Sequence, residues 1–244
     1  MAHFEDHHRG SVVVFCVKQG FFGMEGIMSS LTTADLTAVI YSSGKVFDGL
    51  RTGRIDTENF LRSGSLDAVT SRSDLALLED LRDAAQFVID NTGRVVDADY
   101  VRQVNGRMTR SAAIHPGSLR TDDQQIGVDT RHGRHTPDAV TDEDLQRIVD
   151  RADAAGNAAD RALDLFVSLA RAQPFEDGNK RTAIFAANAV LIPEGRLLTV
   201  PFDEDDPGVA ATFNDLLARA YLFGESDAVK DLLRRYGITG LRTQ

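Results

Sequence analysis

The nine residues Gln173-Pro174-Phe175-Glu176-Asp177-Gly178-Asn179-Lys180-Arg181 separate two apolar segments and decide the fold. Before them, residues 157–172 carry apolar side chains at spacings of three and four. This spacing predicts an amphipathic helix that ends before the proline. After them, residues 181–191 are almost wholly apolar, which predicts a helix buried on all sides. The sequence therefore predicts a polar loop between a helix that packs on the core and a helix inside it.

This nine-residue stretch, called the motif loop below, combines the features of an anion-binding site. The unpaired N–H groups and the positive dipole end of the second helix face the loop. Gly178 lets a phosphate approach the main chain, and Asn179 can hold the turn. Lys180 and Arg181 add positive charge, while Asp177 offers the oxygen ligand that Mg²⁺ prefers. The same pattern also fits a plain helix–loop–helix turn with a surface salt bridge, and physics alone favours neither.

Helical periodicity extends over most of the remaining chain. We predict further helices at residues 32–44, 46–50, 56–61, 73–89, 97–109, 141–149, 209–221 and 227–236. Residues 11–17 are β-branched and aromatic, which predicts a strand or a short hairpin. Residues 111–139 lose all helical periodicity, as is typical of a functional loop or a disordered one. Within that stretch, the β-like residues 125–128 face residues 134–136.

The composition excludes several classes of protein. The chain has 244 residues, of which 42% are hydrophobic, and a formal net charge of -10. Such an acidic surface repels nucleic acid. The single cysteine, Cys16, excludes a disulfide within the chain and fits a reducing compartment. Since no apolar run is long enough to span a membrane and the start lacks a secretory signal, we expect a cytoplasmic protein with neither a nucleic-acid nor a membrane partner.

The motif loop resembles that of Fic/Doc proteins, His-Pro-Phe-x-Asp/Glu-Gly-Asn-Gly/Lys-Arg. Every position fits except the first, where Gln173 stands in place of the histidine. The ending Lys180-Arg181 is more similar to the Doc-type variant. The resemblance implies a mainly α, Fic/Doc-like helical bundle with a short β-hairpin flap over residues 73–244. Residues 1–72 would form an N-terminal extension, a strand and short helices, packed on that domain.

The resemblance also implies an activity and a set of site residues. Fic proteins transfer AMP from ATP, and Doc-type members a phosphate, onto a Ser, Thr or Tyr hydroxyl of a protein. ATP or another nucleoside triphosphate and Mg²⁺ would then be required, and an antitoxin, another regulatory partner or a homo-oligomer is compatible with the family. The implied residues are Asp177 for the metal, Gly178, Asn179, Lys180 and Arg181 for the nucleotide, and Gln125, Ile126, Gly127, Val128 and Thr136 in a target-binding flap. Residues 125–137 are called the flap segment below.

Three positions depart from the family pattern. The family's histidine takes the proton from the attacking hydroxyl, and the amide of Gln173 cannot accept a proton at ordinary pH, so we expect low or lost activity. Ile184 stands where AMP-transferring members often carry a second arginine for the γ-phosphate. Asp48 stands nearest to the place of an inhibitory glutamate, but it lacks an arginine partner at position 184. We therefore predict that Asp48 is a surface or capping residue.

Several functions stay open on the sequence alone. The chain is an impaired transferase, or a nucleotide-binding pseudoenzyme or regulatory binding module. A third alternative is an active transferase whose histidine was deliberately replaced by Gln173, because a natural and an engineered glutamine look alike. A fourth lets His115, His132 or His135 replace the missing base from the irregular segment.

Overall fold

The computed structural model describes residues 31–111 and 114–241, and their fold is mainly α, as predicted. The helices are α1 (Thr37–Asp48), α2 (Arg54–Ser63), α3 (Arg72–Asp90), α4 (Ala98–Asn105), α5 (Asp142–Asp153), α6 (Ala158–Ala172), α7 (Asn179–Leu191), α8 (Pro207–Phe223) and α9 (Ser226–Leu232). A π-helical turn, Leu233–Gly237, follows α9. The strand predicted at residues 11–17, which includes Cys16, lies outside the described residues.

Two small antiparallel hairpins accompany these helices. Strands β1 (Val128–Thr130) and β2 (Gly133–His135) pair inside the flap segment, which confirms the predicted hairpin. Strands β3 (Arg196–Leu198) and β4 (Ile238–Gly240) form the other. The sequence does not predict this second hairpin, because strands of three residues carry too little alternation to stand out as a pattern.

Helix α7 lies at the centre of the molecule, as its composition predicts. It contacts α1, α3, α4 and α6, and its residues from Arg181 to Ala189 are all buried. Alanines at positions 183, 186, 187 and 189 let these neighbours approach closely, while Ile184 and Phe185 fill the space between them. Burying each of these two larger side chains contributes roughly 1.5–3 kcal/mol. The core thus fixes the N-terminus of α7, which opens onto the motif loop.

Helix α1 runs further than the sequence predicts. The pattern predicts an end near residues 42–44 and a separate short helix after it, but α1 continues to Asp48 and ends at Gly49, whose φ is 67°. Glycine at position 44 leaves room for Leu50, because a Cβ there would lie only 3.0 Å from Cδ2 of Leu50. The uninterrupted helix carries Asp48 to the start of α7.

The capping prediction at Thr141 holds, whereas one predicted helix end does not. Thr141 caps α5, since Asp144 N–H donates to its hydroxyl at 3.1 Å and its own N–H donates to the Asp144 carboxylate at 3.0 Å. Helix α4 ends at Asn105, four residues before the predicted end. Residues of α1 and α2 share one core with α7, while the domain boundary placed after residue 72 stays a prediction. Over the described ranges, no helix combines the length and the apolar character needed to cross a membrane.

Candidate functional site

The motif loop turns sharply between α6 and α7. Gln173 ends α6 with a left-handed backbone, φ 48°, and is the one non-glycine residue with a positive φ among those described. Pro174 follows and prevents the helix from continuing. Gly178, with φ 72°, is the N-cap of α7, so the N–H groups of the first turn of α7 point into the loop.

Two buried asparagines hold the loop in shape. Asn179 forms a closed pair with the backbone of Phe175, accepting from its N–H at 2.8 Å and donating to its carbonyl at 2.9 Å. Asn105 of α4 donates to the carbonyl of Asp177 and to the hydroxyl of Thr182, both at 3.0 Å. Phe175 is fully buried and anchors the loop in the core. The loop is therefore fixed before any ligand arrives.

Arg120 ties the motif loop to the flap segment. Its Nε donates to the carbonyl of Gln173 at 2.7 Å, and its Nη2 donates to the carbonyls of Pro137 and Asp138 at 2.6 and 2.7 Å. The side chain is buried, and this burial lowers the pKa of its guanidinium. The backbone is paired here as well, because Arg120 N–H donates to the carbonyl of Pro174 at 3.0 Å.

A cavity of about 240 Å³ lies between the loop and the hairpin. Its lining combines Phe47, Asp48, Ile126, Gly127, Val128, Gln173, Glu176, Asp177, Gly178, Asn179, Lys180 and Arg181. Most of the site residues predicted from the sequence thus face one space. Gln125 and Thr136 of the flap segment are exposed and lie outside this lining.

The two cations at the start of α7, Lys180 and Arg181, have different contacts. Lys180 Nζ lies 5.1 Å from the centroid of the Phe47 ring, and burial lowers the pKa of its ammonium group. Arg181 is 3% exposed and has a contact at each guanidinium nitrogen. Nη1 donates to Ser111 Oγ at 2.9 Å, Nη2 lies 3.4 Å from Asp177 Oδ2, and Nε lies 3.4 Å from Asp48 Oδ2. Each terminal nitrogen carries two N–H groups, so at least one on each remains for a ligand.

Asp48 corrects an expectation from the sequence. The predicted surface position holds, because Asp48 is exposed at the end of α1. The expected lack of an arginine partner is wrong, because Asp48 lines the cavity beside Arg181. Its side chain is 26% exposed, and burial raises the pKa of its carboxyl against the opposing effect of Arg181. In the family pattern, the arginine partner of the inhibitory glutamate stands at position 184. Ile184 is indeed buried in the core, but Arg181 lies one turn before it.

The amide of Gln173 is directed back onto α6. Its Nε2 donates to the carbonyl of Ala170 at 2.5 Å, and the residue is 4% exposed. An amide in this position has no lone pair basic enough to take a proton from a hydroxyl. The residue therefore shapes the wall of the cavity without supplying a base.

The three histidines of the irregular segment have other partners. His132 Nε2 lies 2.6 Å from Asp215 Oδ1, and His135 Nε2 donates to the carbonyl of Arg171 at 2.7 Å, so both rings face away from the cavity and towards α8 and α6. His115 Nδ1 lies 3.2 Å from Glu176 Oε1. This contact, together with the N–H of His115, lowers the pKa of the Glu176 carboxyl. None of the three lines the cavity.

The carboxylates at the loop bear on the expected metal. Within the described ranges, no three or more His, Cys, Asp or Glu side chains are grouped closely enough to hold a metal ion. Asp177 lies beside the N-terminus of α7, and its side chain is 56% exposed. Mg²⁺ that bridges phosphates uses only one or two carboxylates and keeps several waters. A single accessible carboxylate next to an anion site fits that kind of binding.

A second cavity, of about 470 Å³, adjoins the first between β1 and α8. Lys180 and Val128 line both cavities. Tyr221 lines the larger one, and its buried hydroxyl has no hydrogen-bond partner in the described structure. Sequence reasoning missed this cavity and its residues Asn214 and Tyr221, since the amphipathic pattern of α8 does not distinguish a core face from a cavity wall.

Comparison with known proteins agrees with this geometry. Residues 78–191 match the model of the Fic/DOC family. A Fic domain containing signaling protein from Bacteroides thetaiotaomicron superposes with a TM-score of 0.59 at 17% identity, over 88% of this chain and 87% of that one. Fic-1 from C. elegans superposes with a TM-score of 0.58 at 19% identity, over 90% of this chain and 66% of that one. No curated protein sequence matches the chain. At such identities the two structures show the fold alone.

Proposed function

Because this chain belongs to the Fic/DOC family, we propose that it binds a Mg²⁺–nucleoside triphosphate at the motif loop and acts on a hydroxyl of a protein. The transferred group would be a nucleoside monophosphate or, as in Doc-type members, a phosphate. One observation carries the proposal. The N-terminus of a buried helix, two cations and the exposed carboxylate of Asp177 line the same cavity of about 240 Å³.

The phosphates would lie at the start of α7. N–H groups at a helix N-terminus bind anions, and the helix dipole favours negative charge there. Arg181 offers its remaining N–H groups as a fork, while Lys180 offers a compact charge. Asp177 would hold Mg²⁺, which supplies charge neutralisation of the phosphate oxygens when bound. These groups are independent of Gln173, so binding would survive the loss of the base.

The nucleoside would occupy the adjoining cavity of about 470 Å³. Lys180 lines both cavities, which supports a ligand that extends from the first into the second. Asn214 is an exposed residue of this lining, and its amide can satisfy polar edges of a base or sugar. A volume of this size lies within the usual range for small-molecule pockets.

The protein target would approach from the flap segment. Ile126, Gly127 and Val128 form the cavity wall opposite the loop. β1 pairs only with β2 in the described structure, so the outer edge of this hairpin has backbone groups available to an extended peptide. Such pairing would bring a Ser, Thr or Tyr hydroxyl of the target to the phosphates.

Transfer would be slow, because Gln173 stands where the reaction needs a proton acceptor. General-base assistance is typically worth about 10²- to 10⁴-fold, and this factor would be missing. The contact of Gln173 with the carbonyl of Ala170 favours a second candidate function, a module that binds nucleotide without transferring it. Antitoxin binding, cytoplasmic location and self-association remain predictions.

The decisive experiment replaces Gln173 by histidine. Purified Gln173→His and unchanged protein would be incubated with cell extract, Mg²⁺ and nucleoside triphosphates labelled at either the α- or the γ-phosphate. We expect label on protein with the histidine variant at a rate at least about 100-fold higher. The α-label would report nucleotidyl transfer and the γ-label phosphate transfer.

Two further variants separate the candidate functions. Gln173→His combined with Arg181→Ala should lose transfer, which shows that the label depends on the proposed phosphate site. If the histidine variant transfers nothing but both proteins bind Mg²⁺–ATP, the binding module is the function. If Asp177→Ala and Arg181→Ala leave that binding unchanged, the motif loop is not the phosphate site.

A further inference from the structure

The hydroxyl of Ser111 lies in a directed chain of hydrogen bonds that ends at Arg181. Arg181 Nη1 donates to Ser111 Oγ at 2.9 Å, and Ser111 Oγ donates to Asp80 Oδ2 at 2.7 Å. A serine hydroxyl has one proton and two lone pairs. Because Asp80 takes that proton, the lone pairs of Ser111 are left for the guanidinium.

Asp80 is well placed to fix this direction. It lies on α3, its side chain is fully buried, and it also accepts from the backbone N–H groups of Thr109, Arg110 and Ser111 at 2.7–3.1 Å. The Arg110 guanidinium contacts the same carboxylate at 3.2 Å. These bonds hold the backbone after α4 in place, and this is their structural role. The hydroxyl contact with Arg181 is not needed for that role.

The other two partners of Arg181 have a different effect on it. Asp48 and Asp177 are carboxylates, which draw the guanidinium towards themselves and offset its charge. Ser111 is the neutral partner among the contacts described, so it can orient the guanidinium while leaving its charge available to an anion. Both carboxylates are also more exposed than Arg181, at 26% and 56% of their side chains.

We propose that Ser111, oriented by the buried Asp80, is a positioning residue that holds the Arg181 guanidinium towards the cavity for an anionic ligand. The proposal rests on the proposed function, because it needs Arg181 to bind phosphate. Without the hydroxyl, the guanidinium turns towards Asp48 and Asp177 and meets the ligand in a poorer geometry.

The test measures binding of Mg²⁺–ATP and, separately, of inorganic phosphate to the full chain by calorimetry. We expect Ser111→Ala to weaken Mg²⁺–ATP binding about fivefold, the size of one ordinary hydrogen bond, because the lost bond orients Arg181 and does not touch the ligand. Ser111→Thr keeps a hydroxyl and should bind within about twofold of the unchanged protein. Ser65→Ala is the matched control, because Ser65 is partly exposed, as Ser111 is, and its side chain contacts Asp67 instead of the cavity.

A double-mutant cycle separates positioning from folding. If Ser111 acts through Arg181, then Ser111→Ala should cause no further loss of affinity in an Arg181→Ala background. Thermal unfolding of Ser111→Ala would be recorded alongside. A lower unfolding temperature with unchanged affinity would overturn the proposal, since it would leave only the structural role.

The outcomes also distinguish this proposal from the proposed function. Weaker binding in Arg181→Ala but not in Ser111→Ala would refute the role of Ser111 and leave the phosphate site standing. Unchanged binding in both would refute both. Additive losses in the cycle would show that Ser111 acts on the ligand independently of Arg181, which also contradicts the proposal.

Discussion

The motif loop and the flap segment face each other across one cavity, yet they are held in different ways. The loop is fixed from inside the protein, by the buried amides of Asn105 and Asn179. The hairpin of the flap segment is held by side chains at the surface, His132 against Asp215 at 2.6 Å and His135 against a carbonyl of α6 at 2.7 Å. Buried hydrogen bonds therefore hold the motif-loop side of the cavity, and contacts at the surface hold the hairpin side.

The two kinds of attachment differ in free energy. A buried polar group that loses its partner costs about 1–3 kcal/mol, whereas an exposed ion pair contributes about 0–1 kcal/mol. Opening the hairpin at residues 128–135 therefore needs less energy than deforming the motif loop, because the buried Arg120 holds the flap segment only beyond the strands, at Pro137. A rigid motif loop opposite a hairpin that moves more easily suits the proposed function, in which a nucleotide and a segment of another protein both enter the cavity.

The largest effect is expected when the inner support of the loop is removed. Asn105→Leu keeps the branched shape of the side chain but leaves the carbonyl of Asp177, the hydroxyl of Thr182 and the N–H of Gly117 without their partner. We expect a loss of about 3 kcal/mol in the free energy of unfolding, measured by urea denaturation. Gln103→Ala on the same helix, whose contact is exposed, should cost less than about 0.5 kcal/mol. A loss below about 1 kcal/mol for Asn105→Leu would show that the loop keeps its shape without the amide.

A smaller effect is expected at the residue that joins the two regions. Arg120→Met removes the donor to the carbonyls of Gln173, Pro137 and Asp138, and should lower the free energy of unfolding by about 2 kcal/mol. Hydrogen exchange should then quicken in the motif loop and the flap segment together. Arg151→Met, at an exposed position, is the control and should change neither. Faster exchange in only one of the regions would mean that they are not coupled through Arg120.

The sequence was most informative about the inner region. The spacing of residues 157–172, the proline after them and the alanine-rich segment beyond the loop predict α6, the turn and the buried α7, because each is a local pattern. The nine-residue motif adds the identity of the site residues, and most of these line one cavity.

Features that depend on distant contacts escaped prediction. Asp48 reaches Arg181 only because α1 passes through Gly44 without a break, and a glycine normally predicts an end. The role of Ser111 depends on a carboxylate 31 residues earlier in the chain. The hairpin was located within the flap segment, but its first strand begins at Val128, the last residue of the run that looked most β-like.

A substitution at Gly127 disturbs the hairpin of the flap segment without touching the motif loop. A Cβ there would lie 2.6 Å from the carbonyl oxygen of His135 and 3.0 Å from Thr136 Oγ1, so Gly127→Ala must push the two sides of the hairpin apart. We expect faster hydrogen exchange over residues 128–135, equivalent to about 1 kcal/mol, while global stability changes by less than about 0.5 kcal/mol. Gly240→Ala, where a Cβ would meet nothing within 4 Å, is the matched control in the other hairpin. A global loss as large as the local one would place the hairpin in the same cooperative unit as the loop.

The smallest effect concerns the charge beside the motif loop, at Asp48, rather than the shape of the loop. Asp48 brings a carboxylate next to Arg181, and a like charge so close to bound phosphate opposes binding. We expect Asp48→Asn to tighten binding of Mg²⁺–ATP about threefold at pH 7.5, since the carboxylate is partly screened by water. The isosteric amide keeps the volume, so shape is unchanged. Weaker binding in this variant would instead mean that the carboxylate helps to hold Arg181 or the metal.

The ratio of the affinity of Asp48→Asn to that of the unchanged protein depends on pH, and this dependence tests whether the charge of Asp48 causes the difference. Burial raises the pKa of the Asp48 carboxyl, so the group becomes neutral at a higher pH than an exposed aspartate does. As the pH falls towards that pKa, the unchanged protein loses the repulsion and gains affinity, whereas Asp48→Asn has none to lose. The ratio of the two affinities should therefore fall from about three towards one on the acidic side of neutrality. Titration of the phosphate itself affects both proteins alike and cancels in the ratio. A ratio of affinities that stays constant with pH would mean that Asp48→Asn acts by releasing the Arg181 side chain. The charge of Asp48 would then have no direct effect on the bound phosphate.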